Sequence, residues 1–225
     1  MSAVLSSSIS RLIRLPLLAM AGAVLMAAVI AGSARAGYIQ GESPTTLADG
    51  LAAIERHDRA GFRRVLEQAG DAEHGEAIRL YLQTRWLIER VDEEPAAVAA
   101  RLREHPEAPL TPRLKRRYLD HLAEQAAWGQ YRLVFDRVPE IRPGTRRQCA
   151  YWQAELELDG TLTGEQADAA MAFWQRGRSQ PEACDPIFAW LDANEYLDAI
   201  AYRARIRAAV IAGQDGLARY LVRRG

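Results

Sequence analysis

The chain is poor in the residues that build metal and nucleophile sites. It has two cysteines and four histidines in 225 residues. His57, His74, His105 and His121 show no ligand spacing with each other or with Cys149 and Cys184. That argues against a zinc site and against a cysteine–histidine nucleophile. Net charge is also lacking, with 29 basic against 29 acidic side chains. No basic stripe dominates, so nucleic acid is excluded as the expected partner. Strand-period alternation is nearly absent. Glu155 to Leu158 is the one segment that alternates, and it lies inside a helical stripe. A strict repeat period is missing too, which excludes an obvious tetratricopeptide array.

What is present begins with an export signal. Arg11 and Arg14 precede an apolar run, Leu15 to Ile30, which carries no charge. The run is about 16 residues, short of the roughly 20 a membrane span needs. Small residues follow, ending Ala34-Arg-Ala36. This order reads as a secretory signal peptide over residues 1–36, cleaved after Ala36. The expected location is the periplasm, with no stable membrane anchor after cleavage. Loss of Arg11, Arg14 and Arg35 leaves the remainder mildly acidic.

Export changes what the two cysteines mean. Free buried thiols remain one reading and a metal site another, but an oxidising compartment favours a Cys149–Cys184 disulfide. It would close a loop of about 35 residues, worth roughly 3–4 kcal/mol on a chain-entropy model.

From residue 45 onward the periodicity is helical. Asp58 is placed to cap one helix, and Thr163 with Gln166 forms a capping box for another. Pro95 suits a first helical position, and Thr111-Pro112 opens a further helix. Asp159-Gly160 and Gly213 are read as helix stops, and Gly177 as a left-handed exit. Leu197, Ile200, Ala201, Ala204, Ala208 and Ile211 form a long stripe expected to face the core. The pattern gives about ten helices with short connectors. Short connectors make neighbours antiparallel, so the fold class is all-α, an α-solenoid or superhelix of stacked antiparallel helix pairs over residues 37–225.

No acid–base constellation emerges. Glu155 and Glu157 lie on different helix faces. Asp92-Glu93-Glu94 reads as an acidic helix entry, His121 with Glu124 as a solvated pair, and Ser179 as a loop residue without a histidine partner. Trp86, Trp128, Trp152, Trp174 and Trp190 follow the apolar stripes and are expected in the core, with glycan stacking the competing reading. The run Arg113-Leu-Lys-Arg-Arg117 reads as a solvated face.

One stretch carries a family resemblance. It contains Gln148-Cys-Ala-Tyr-Trp152, Phe173-Trp174, Gly177-Arg-Ser-Gln-Pro-Glu-Ala-Cys-Asp185, Phe188, Trp190, Ala201-Tyr202, Arg205-Ile-Arg207 and Ala212-Gly213. Together these resemble the amino-terminal superhelical region of the soluble lytic murein transglycosylases. The resemblance implies a periplasmic role in peptidoglycan turnover. It implies glycan-strand cleavage to 1,6-anhydromuropeptides by the full-length enzymes, with no metal or organic cofactor. It also implies that Cys149 and Cys184 are paired. The family's catalytic Glu-Ser motif, and its Gly-Leu-Met-Gln and Ala-Tyr-Asn-Ala-Gly motifs, do not occur here; Glu42-Ser43-Pro44 is a chance echo. The expectation is therefore a scaffold part, itself non-catalytic and reading as a fragment, whose partners are peptidoglycan or a catalytic domain. The alternative is a stand-alone periplasmic solenoid that binds a protein or a glycan. An enzyme with an unrecognised site comes third.

Overall fold

The computed structural model describes residues 43–70, 74–137 and 143–224, with side chains from Thr46. The signal peptide and its cleavage site at Ala36 lie outside the described residues, as do Glu42 and the side chains of Ser43 and Pro44 in the Glu42-Ser43-Pro44 echo. So does the helix ending expected at Val138-Pro139. By contacts the described residues fall in one unit, Gly41–Gly225.

Among the described residues there are eleven α-helices and one 3₁₀ turn. They are α1 (Ser43–Glu55), α2 (Arg59–Ala69), α3 (Gly75–Glu89), α4 (Pro95–Glu104), α5 (Thr111–Glu124) and α6 (Trp128–Arg137). After these come α7 (Thr145–Asp159), α8 (Gly164–Trp174), the 3₁₀ turn Glu182–Cys184, α9 (Asp185–Ala193), α10 (Ala199–Ile211) and α11 (Asp215–Arg224). The architecture is all-α with no strand among the described residues. It is the stacked-hairpin arrangement expected from short connectors.

Local chemistry sets the helix ends. Asp58 accepts from the Gly61 amide at 2.8 Å. Thr163 and Gln166 satisfy each other's backbone amides at 3.2 and 2.8 Å. Asp198 accepts from the Ala201 amide at 2.7 Å and so starts α10. Each such cap satisfies an amide that has no partner inside the helix. Gly160 and Gly213 leave their helices with φ of 75° and 67°. Gly177 does not, and the left-handed exit expected there is corrected. A Cβ on Gly177 would overlap the Ala208 carbonyl and lie 3.0 Å from the Ala209 nitrogen. Its lack of a side chain lets the loop after α8 touch the backbone of α10.

Two layers alternate. The odd-numbered helices pack in succession, α1 on α3, α3 on α5, α5 on α7 and α7 on α9, while the even ones pack on their neighbours in sequence. The core has two clusters. The first runs from Ala53 to Ala154 and includes Leu82, Val98, Leu114, Leu119 and Tyr131, all fully buried. The second includes Trp152, Trp174, Ile187, Leu191 and Leu221. Helix α7 is the wall they share: Ala150 and Ala154 face the first, and Cys149 and Trp152 face the second. Cys149 and Cys184 are disulfide-bonded, with Cα atoms 4.9 Å apart. The bond fastens the 3₁₀ turn and the start of α9 to the middle of the stack.

Candidate functional site

The regular succession of odd helices stops at α9. Among the described residues α9 and α11 share little or no close backbone packing, and a cleft of ≈ 570 Å³ opens between them. Asp185, Phe188 and Asp192 of α9 form one wall. Leu217, Tyr220 and Arg224 of α11 form the other. Trp174, at the end of α8, and Tyr202 and Arg205, on α10, form the floor.

The floor is unusual in what it buries. Arg205 is 6% exposed. Its guanidinium carbon sits 4.7 Å from the Trp174 ring centroid and 5.6 Å from that of Phe188. Tyr202 meets Trp174 edge to face, with centroids 5.1 Å apart. Aromatic faces carry partial negative charge, so they solvate a cation in part. They accept no strong hydrogen bond, and the Arg205 Nε is buried without a partner among the described residues. Burial pushes the Arg205 pKa down, opposed by the nearby Tyr202, Tyr220 and Asp185. Burial also raises the Tyr202 pKa, and Asp192 adds to the rise. Arg224 donates to the Tyr220 hydroxyl at 2.8 Å at the rim.

A second hollow, of ≈ 420 Å³, lies near the disulfide and is lined by Asp120, Arg146, Arg147 and Glu182 among others. Its cations are committed. Arg147 donates to Asp120 at 2.6 Å and to the Arg116 carbonyl at 3.3 Å. Arg146 pairs with Glu124 at 3.9 Å. The cleft with an uncommitted buried cation is therefore the stronger candidate for binding.

The residues weighed from sequence are scattered. Trp86, Trp152 and Trp174 are buried, and Trp128 and Trp190 are half-buried. Trp86 stacks on Phe62 with centroids 4.4 Å apart and carries Arg90 over its ring at 3.4 Å. His121 does not pair with Glu124; its Nδ1 lies 2.7 Å from Asp92, from the acidic run before α4. Glu94, at the end of that run, accepts from Arg59 at 2.5 Å and from the Trp86 indole at 3.2 Å. Glu155 is held by Arg132 at 3.4 Å and by Gln166 at 3.0 Å. Ser179 is exposed at the edge of the cleft.

Two sequence expectations are corrected. Lys115 does not belong to a solvated face: it is 1% exposed and donates to the Phe135 carbonyl at 2.9 Å. The stripe drawn along α10 is rotated. Ile200 and Ile211 are 68% and 80% exposed, while Ala201, Tyr202, Arg205 and Ala209 face inward. That rotation hides Arg205 from a sequence reading. The signal that finds it is its spacing of three from Tyr202 and four from Ala201, on the face capped by Asp198.

The arrangement defines a class: an α-helical stacking module with a cation-floored cleft. Comparison with known proteins narrows it. The chain is similar in sequence and fold to soluble lytic murein transglycosylases. The soluble lytic murein transglycosylase of Salmonella typhimurium is 36% identical over 138 residues, which is 61% of this chain and 21% of that protein. The Escherichia coli K12 protein of the same name is 34% identical over 141 residues, 61% of this chain and 21% of its own length. The chain thus spans about a fifth of the curated relatives it matches. The crystal structure of the 70 kDa soluble lytic transglycosylase from E. coli matches with a TM-score of 0.66 at 26% identity. That match covers 81% of this chain and 28% of the other. A complex of the 70-kDa soluble lytic transglycosylase with bulgecin A matches with the same TM-score, covering 80% of this chain. No family model matches the chain. No helix among the described residues is long and apolar enough to cross a membrane.

Proposed function

We propose that the chain serves peptidoglycan turnover as a non-catalytic helical scaffold, acting with a catalytic domain or partner that cleaves glycan strands to 1,6-anhydromuropeptides. The observation that carries this reading is the joint likeness in sequence and fold to soluble lytic murein transglycosylases. The site chemistry agrees with it. A glycosidase acid needs a carboxyl poised in a cleft beside a second one in a different environment. Glu155 is instead paired with Arg132 and accepts from the Gln166 amide, and Asp92 lies 2.7 Å from His121 Nδ1. In this reading residues 1–36 are a signal peptide, residues 37–225 form the superhelical domain, and the chain works in the periplasm.

The test is incubation of the purified chain with murein sacculi, followed by mass spectrometry of the soluble products. The expected result is no anhydromuropeptide from the chain alone. Their appearance would overturn the scaffold reading. Expression with the native amino terminus, followed by sequencing of the exported product, is expected to begin at Gly37. The cleft supports a second reading, in which the module binds a ligand or partner on its own.

A further inference from the structure

The cleft between α9 and α11 contains a charge pattern that the scaffold role does not use. Arg205 on the floor has no hydrogen bond at Nε, and no carboxylate among the described residues forms an ion pair with it. A guanidinium that gives up water without gaining an acceptor is costly. Its planar fork suits a carboxylate, which can meet Nε and one terminal nitrogen side-on. Arg205 lines the cleft, so a carboxylate seated there faces the guanidinium.

The opposite wall limits what else the ligand can be. Asp185 and Asp192 are exposed on α9, facing the cleft that Arg205 floors and Arg224 rims. Two acidic groups against two basic ones disfavour a dianion such as phosphate. They favour a ligand that is negative at one end and positive at the other. The body between those charges lies against Trp174, Phe188 and Leu217, which are apolar. A cleft of ≈ 570 Å³ suits a ligand the size of a short peptide.

We propose that this cleft binds the carboxy-terminal end of a short peptide, with the carboxylate on Arg205 and a free amine toward Asp185 and Asp192. The chemistry stands apart from the peptidoglycan role. Only the source of the peptide rests on that reading: a wall-derived stem would end in D-amino acids, an ordinary protein fragment in L-amino acids.

The test uses the full purified chain, disulfide intact and ¹⁵N-labelled, and follows the Arg205 Nε–Hε resonance by NMR. The probes are D-alanyl-D-alanine, L-alanyl-L-alanine, L-alanyl-L-alanine amide and inorganic phosphate. A saturable downfield shift with a free dipeptide, absent with the amide and weaker with phosphate, is the expected result. Preference for the D,D form ties the site to wall material. Preference for the L,L form keeps the site and removes the wall as its source. Arg205→Lys is expected to lower affinity about tenfold or more, because the fork is lost. Should Arg205→Lys disturb the fold, Asp192→Asn serves in its place. It changes an exposed residue and is expected to weaken binding about two- to fivefold. A resonance that no free dipeptide moves, or that the amide moves equally, overturns the proposal. So does Asp192→Asn with unchanged affinity.

Discussion

Gly177→Ala gives the sharpest test of how the last helical pair is attached. The added Cβ would overlap the Ala208 carbonyl and lie 3.0 Å from the Ala209 nitrogen. Both neighbours are backbone, and Ala209 is fully buried. A side chain could swing away, but a helix backbone has to move as a body. Forcing extra volume into such a contact costs about 1–3 kcal/mol. Replacing glycine where its φ is ordinary recovers about 0.4–1 kcal/mol by restricting the unfolded chain. The two contributions oppose, and the net loss centres on about 1.3 kcal/mol. With a urea slope of about 2 kcal/mol/M, the midpoint falls by about 0.6 M. Gly129→Ala is the internal control. It sits in the first turn of α6, where an added Cβ would meet nothing within 4 Å. It is expected to be neutral or to stabilise by up to about 1 kcal/mol. The assay is urea denaturation followed by far-ultraviolet circular dichroism. A Gly177→Ala midpoint at or above wild type would refute the close-approach argument. An equal fall in both variants would refute it as well.

Three further outcomes follow from the same structure. Replacing both Cys149 and Cys184 by serine should cost about 3–4 kcal/mol, from the chain entropy of the 35-residue closure; urea midpoints with and without reductant check this, and reductant should leave the double variant unchanged. Burial, aided by Asp136 and Glu155, raises the Tyr151 phenol to about 12. An unfolded tyrosine ionises near about 10, so the contribution of Tyr151 is full below that pH and is lost as pH rises toward the folded value; a tyrosinate absorbance titration in which every phenol ionises near the ordinary value with the fold intact would contradict it. Asp198→Ala removes the amide acceptor at the start of α10 and should cost about 1 kcal/mol, with faster amide exchange at Ala201 as the local sign.

Much of this fold is legible residue by residue. Asp58, Pro95 and the Thr163–Gln166 box act through neighbours within four positions, so local sequence contains the whole argument. The odd-layer stacking follows from short connectors for the same reason. The features that escape a sequence reading depend on distant partners. Alanine is tolerated on either side of a helix, so Ala204 and Ala208 do not fix the rotation of α10, and Ile200 and Ile211 point the wrong way. Arg205 and Lys115 enter the interior because Trp174, Phe188 and the Phe135 carbonyl wait there, on other helices. Gly177 resembles a turn glycine in sequence, while its role is contact with α10, about thirty positions further along. The cleft is illegible for the same reason: its floor and walls come from four helices.

The disulfide has a mechanical consequence. If the chain is drawn out from its two ends, tension reaching Cys149 passes through sulfur directly to Cys184. The last two thirds of α7, all of α8 and the loop holding Gly177 are bypassed. At roughly 3.3–3.6 Å per extended residue, the 35-residue separation withholds about 120 Å of contour length. A single-molecule stretching curve would show that length only after reduction, and the step would mark how much of the chain is shielded from load.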